Sequence, residues 1–299
     1  MRVIMNIMGF VLWVVVAGAL LAPPLYHGTQ SLIDAGYLGE IAHYRFPKYL
    51  NRSVLSVALL GLYPFLRSLG LTSWRDLGVD PNPRRWRDLG FGLAVGALGL
   101  AIGAAAMLAD GAVEWKHYTR VVWLPKALGA AVAVGIIEEL LFRVALFGAL
   151  RRHLSWPAAL SFLSVFFAAV HFIRPHPSVK GFDAEVGWLT GFDVLSYSFW
   201  QFGQPHLLVG GLLTLTLVGA LLGYTVVKTR SVYMAIGLHA GWVFVLKLFG
   251  LATKRVGEPG LWFGRDLITG LGPVMVLVAT SALVLWWLRR DGGRGEMVS

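Results

Sequence analysis

The stretch Gly135-Ile136-Ile137-Glu138-Glu139-Leu140-Leu141-Phe142-Arg143 sets two carboxylates and a guanidinium inside an apolar run from about Ala127 to Leu150. A charged side chain at the centre of a membrane-spanning helix costs roughly 2.5 to 3.5 kcal/mol on insertion scales, so such a cluster marks a functional site by default. Helical geometry divides the labour. Glu139 and Arg143 are four residues apart, about 40° around a helix, and can pair on one face to lower each other's burial cost. Glu138 stands about 140° from Arg143 and is the carboxylate more available for proton chemistry.

Two of the eight histidines also fall inside apolar runs: His171, in Phe167-Ala168-Ala169-Val170-His171, and His239, in Gly237-Leu238-His239-Ala240-Gly241. A lone histidine in a span is usually a helix-to-helix hydrogen-bonding residue. Depth argues for more. At ~1.5 Å rise per residue, Glu138 lies ~18 Å above the inner end of its helix, His171 ~21 Å and His239 ~12 Å, so three helices put ionisable groups in one layer. Groups at similar depth are expected to face a shared interior. A carboxylate and an imidazole sharing a water are the parts of a general-base hydrolase, and the same groups in a row could form a proton relay of a transporter.

The elements that must position these groups are membrane helices. The chain has 299 residues, of which 57% are hydrophobic and only 14% charged, with a mean hydropathy of +0.66. That balance excludes an ordinary soluble domain. The net charge of +10 does not point to nucleic acid, because Lys and Arg gather at the ends of apolar runs, as topogenic charges do. Zero cysteines exclude disulfides, a thiolate nucleophile and a Cys-ligated metal. Apolar runs at about 4–26, 53–71, 89–109, 127–150, 157–173, 207–227, 231–251 and 267–288 predict an all-α polytopic bundle of about eight spans. The first, in which Pro23 follows the likeliest cleavage point, reads as an uncleaved anchor.

With the N-terminus inside, the inner side carries twelve Lys and Arg and the outer side eleven over a much longer stretch, which predicts cytoplasmic termini. Trp74-Arg75-Asp76-Leu77-Gly78 returns as Trp86-Arg87-Asp88-Leu89-Gly90. Two interfacial turns at an anionic leaflet fit that repeat best. The insert from Arg174 to His206 carries Phe182, Trp188, Phe192, Tyr197, Phe199, Trp200 and Phe202; it predicts an interfacial aromatic belt or a substrate-facing flap.

At these residues the sequence resembles the CAAX protease and bacteriocin-processing (CPBP, or Abi) family of intramembrane proteases, which includes the type II CAAX prenyl endopeptidases. Its first motif matches Glu138, Glu139 and Arg143 with Phe142, its second Phe167 and His171, and its third, a histidine followed four positions on by asparagine or aspartate, only His239. The resemblance covers about 126–251. It implies a catalytic core there, preceded by a three-span region (1–125) and followed by a last span and tail (252–299).

What the resemblance implies about mechanism is specific. Glu138 would be the general base, His171 would help orient and activate the attacking water, and His239 would face the developing oxyanion. Glu139 and Arg143 would brace the site. Family members have been described both as metalloendopeptidases and as metal-free glutamate enzymes. Glu138, His171 and His239 could ligate zinc with an open position, yet there is no His-Glu-x-x-His helix, so no cofactor is favoured. The expected partners are a membrane-associated peptide or protein substrate and the lipid bilayer, and the expected home is a bacterial plasma membrane. The departure is Val243, where the family has an amide or carboxylate; an isopropyl group donates no hydrogen bond. Beside endopeptidase activity stand a non-catalytic scaffold or immunity protein of the same fold and a proton-coupled transporter.

Overall fold

The structure, a computed structural model, describes residues 2–118, 120–176, 179, 185–257, 260–264 and 266–295. Its helices are α1 (Arg2–Asp34), α2 (Phe46–Ser68), α3 (Arg85–Ala109), α4 (Trp123–Glu139), α5 (Phe147–Arg151), α6 (Trp156–His171), α7 (Thr190–Ser196), α8 (Pro205–Thr229), α9 (Tyr233–Ala252) and α10 (Leu271–Gly295). Two strands that the sequence did not announce, β1 (Val113–Trp115) and β2 (Thr253–Arg255), pair antiparallel with Glu114 opposite Lys254. The exposed Lys254 bonds the Glu114 carboxylate at 2.6 Å, and that hydrogen bond, then its charge, holds Glu114 below the usual carboxylate range.

Among the described residues, six helices are long and apolar enough to cross a membrane: α1, α2, α3, Gly210–Thr229 of α8, α9 and Leu271–Arg290 of α10. The chain is a mostly helical, polytopic integral membrane protein. Six helices of spanning length stand against the eight spans expected, and the two remaining stretches carry ionisable residues. The run expected over 127–150 is divided into α4, a π-helical segment Leu140–Leu146 and α5. The run expected over 157–173 is α6, of 16 residues, short of the roughly 20 of a full crossing.

The chain divides into two compact units, 1–72 with 170–205, and 73–169 with 206–299. In the first, α1, α2 and α7 close on Ala19, Ala22, Phe46, Leu50 and Val194. Gly191 of α7 lies so near α1 that a Cβ there would stand 2.2 Å from the Ala19 carbonyl oxygen. α1 carries Pro23 and Pro24 inside it and continues to Asp34, well past the end its hydropathy suggested. The aromatic insert folds on itself: Trp200 Nε1 donates to the Arg174 carbonyl at 3.0 Å, and His176 meets the Trp200 ring edge-on. Phe182 and Lys180 of that insert, like Arg265, lie outside the described residues.

In the second unit α9 is the central helix, with α3 on one side and α4 on another. The α3 crossing is made by glycines at matched spacing. A Cβ on Gly92 or Gly96 would lie 2.5 Å from the carbonyl oxygens of Met234 or Leu238, and one on Gly237 or Gly241 would lie 2.2 or 2.6 Å from those of Leu89 or Leu93. Small residues four apart let two backbones touch, which suits a membrane interior where packing, not the hydrophobic effect, holds helices together. Gly237→Val is therefore expected to part α3 from α9 and cost about 1–3 kcal/mol or more in reversible unfolding. Gly129→Ala, where a Cβ meets nothing within 4 Å, is the control that should stabilise slightly.

The tryptophan-arginine repeat does not make two alike turns. The first copy is a turn, with Ser73 and Asp76 exchanging side-chain and backbone hydrogen bonds and Gly78 closing it at φ 75°. The second copy is the first turns of α3. Asp88 sits at that helix N-terminus, where a carboxylate is favoured, and accepts from Asn82 Nδ2 at 2.8 Å. The intervening loop joins the helix ends on this face: Asp76 accepts from Arg152 after α5 and Asp80 pairs with Arg230 between α8 and α9.

Candidate active site

The geometry of α9 decides what its histidine faces. Gly237 and Gly241 lie 40° apart on the helix and His239, two residues from each, lies on the opposite side. With the glycines against α3, the imidazole is delivered to α4. Gly135 of α4 admits this approach, since a Cβ there would be 3.1 Å from the Ala240 Cβ.

His239 is buried and stands between the two glutamates. Its Nδ1 is 2.7 Å from Glu139 Oε1, and its Nε2 is 3.9 Å from Glu138 Oε2. Glu139, 0% exposed, also holds Arg143 Nη1 at 3.2 Å through the same Oε1. The sequence expectation gave Glu139 only its arginine; the structure adds the histidine. A carboxylate that accepts from Nδ1–H fixes the tautomer and orientation of the ring and turns Nε2 outward. Glu138 keeps partial access, its side chain 27% exposed. The 3.9 Å separation exceeds a direct hydrogen bond, yet one oxygen about 2.8 Å from each atom would satisfy both.

Arg143 lies in the π-helical segment, a widened turn of the kind found at functional sites. It is 1% exposed. The backbone departs from α-helix immediately after Glu139, so the 40° and 140° offsets of a regular helix do not carry over to Arg143; Leu-Leu-Phe holds no proline or glycine that would announce the change.

Phe167 of α6 meets the same cluster: its ring face takes the Arg143 guanidinium at 4.2 Å and its ring lies edge-on to His239 at 6.2 Å. His171 is one turn further along the same face of α6, at its C-terminal end. Its carbonyl accepts from Arg174 Nε at 2.8 Å, and it belongs to the first compact unit.

Val243 is buried with Ala131 and Ala240, packed by Ala130, Val134 and Phe244. This is the α4–α9 seam, one turn beyond His239, and its lining there is apolar. Trp242 packs instead against the cluster of Leu221, Leu222, Met234 and Leu277.

Among the described residues no group of three His, Cys, Asp or Glu side chains stands close enough to hold an ion, and the donor nearest His239, Glu139 Oε1, already serves both the ring and Arg143.

Residues 120–245 match the family model described as type II CAAX prenyl endopeptidase Rce1-like. No match was found among curated proteins or among solved structures. The matched segment contains Glu138, Glu139, Arg143, Phe167, His171 and His239.

Proposed function

We propose that this chain, a member of the Rce1-like family of type II CAAX prenyl endopeptidases through its residues 120–245, is an intramembrane endopeptidase that uses Glu138 as its general base. The observation that carries the reading is the flanking of His239 by Glu139 on Nδ1 and Glu138 on the Nε2 side. A water held by Glu138 gives a proton to that carboxylate as its oxygen attacks the scissile carbonyl carbon. His239 turns its Nε2 side toward the oxyanion. Attack moves one negative charge from Glu138 to the oxyanion beside the imidazole. Collapse breaks the C–N bond, and Glu138 returns its proton to the leaving amine.

The role of His171 is the one the family's second motif implies, orienting the attacking water. Glu139 and Arg143 act through His239. The substrate is a membrane-associated peptide or protein, prenylated or not, and the enzyme resides in a bacterial plasma membrane with both termini cytoplasmic. Purified protein in lipid is tested against a membrane-peptide library beside Glu138→Ala and His171→Ala. Cleavage by the wild type alone is expected, and equal cleavage by all three eliminates the reading.

Val243 favours a second reading, a scaffold or immunity protein of the same fold. Val243→Asn separates the two. If the chain is an enzyme short of one oxyanion donor, this change is expected to raise kcat by about 100-fold while the buried amide costs about 1–3 kcal/mol of stability. A scaffold keeps its cellular phenotype in Glu138→Gln and cleaves nothing with either residue at 243.

A further inference from the structure

Arg143 is an unusual guest in its surroundings. A guanidinium stays charged in any protein, and this one is 1% exposed. Its Nη1 lies 3.2 Å from one Glu139 oxygen, outside hydrogen-bonding geometry, and neither Nη1 nor Nη2 finds a hydrogen-bond acceptor among the described residues. What faces the cation instead is aromatic. The Phe167 centroid lies 4.2 Å from Cζ and the Phe142 centroid 5.7 Å. Phe142 meets Phe167 edge-to-face, with centroids 5.1 Å apart at 87°.

The negative face of an aromatic ring attracts a cation most where water is excluded. Phe167 is 1% exposed, so its face meets Arg143 without competing solvent. Arg143 holds Glu139, and Glu139 holds His239. A displaced guanidinium would release Glu139 Oε1 from its place on Nδ1 and let the imidazole turn.

We infer that Phe167 is a positioning residue, its ring face holding Arg143 by a cation–π contact so that Glu139 keeps His239 aimed at the reacting carbonyl. The effect on turnover rests on the endopeptidase reading; the contact itself does not. Leucine at 167 would test packing and charge together, so the discriminating variants are mono-, di- and trifluorophenylalanine, which keep the shape of the ring and progressively remove its negative face.

Two readouts follow the series. On a cleaved membrane peptide, kcat is expected to fall stepwise with each fluorine, by about tenfold in total, with KM unchanged. The thermal midpoint of the reconstituted protein is expected to fall in the same order, and that slope to vanish in a Glu139→Gln/Arg143→Met background, which lacks the cation without stranding a carboxylate. A flat series in both readouts, or an equal slope with and without Arg143, overturns the inference and makes Phe167 a packing residue. Should the wild type cleave no peptide, the endopeptidase reading fails while the midpoint series still decides the contact.

Discussion

Glu138→Gln is expected to lower peptide hydrolysis by about 100- to 10 000-fold while leaving the fold intact. The amide is isosteric with the carboxylate but cannot take a proton from water. Its neighbour His239 is held from the other side by Glu139, so the ring should stay in place. Single-turnover kinetics isolate the chemical step, and the expected result is a lower kcat with little change in KM, because the lost interaction belongs to the transition state. A thermal midpoint equal to wild type would show that the loss is chemical. Glu138→Gln turning over at the wild-type rate would remove Glu138 from the mechanism.

The largest stability effect is expected at Arg143. Arg143→Met leaves Glu139, 0% exposed, without its cation, and removing one partner of a buried pair typically costs about 3–5 kcal/mol. The double variant Glu139→Gln/Arg143→Met removes the stranded charge and is expected to regain most of that loss. Its glutamine oxygen can still accept from His239 Nδ1. Reversible denaturation of the four forms, wild type, two singles and the double, gives the coupling energy directly. Additive single effects would mean that Glu139 and Arg143 do not support one another, and that His239 alone accounts for the buried carboxylate.

The helical class and the membrane setting were legible because both follow from composition and from the length of apolar runs, which act locally. Glu138, Glu139 and Arg143 stood out for the same reason: charge inside an apolar run is visible without any fold. Within the second unit Asp80 pairs with Arg230 and Glu114 with Lys254, contacts that no local pattern announced. The division of the 127–150 run was not legible. Arg143 in the π-helical turn packs against Phe142 and, across helices, against Phe167, and nothing in Leu140-Leu141-Phe142-Arg143 marks the turn. The glycines could have been read, since Gly92-x3-Gly96 and Gly237-x3-Gly241 are spaced for a close crossing, but spacing does not say which helix meets which.

By itself the sequence determined that the chain is a polytopic helical membrane protein and that Glu138, Glu139, Arg143, His171 and His239 stand inside its apolar runs; against the family pattern it resembles, Val243 stands where asparagine or aspartate is expected. These are properties of residue type and order. Only tertiary structure decided that Glu139 serves His239 as well as Arg143, that Phe167 faces the guanidinium, and that Val243 lies in an apolar seam between α4 and α9. Each of those depends on the rotation of one helix against another. That rotation is set by contacts between residues far apart in sequence, here the glycine crossing that turns the His239 side of α9 toward α4.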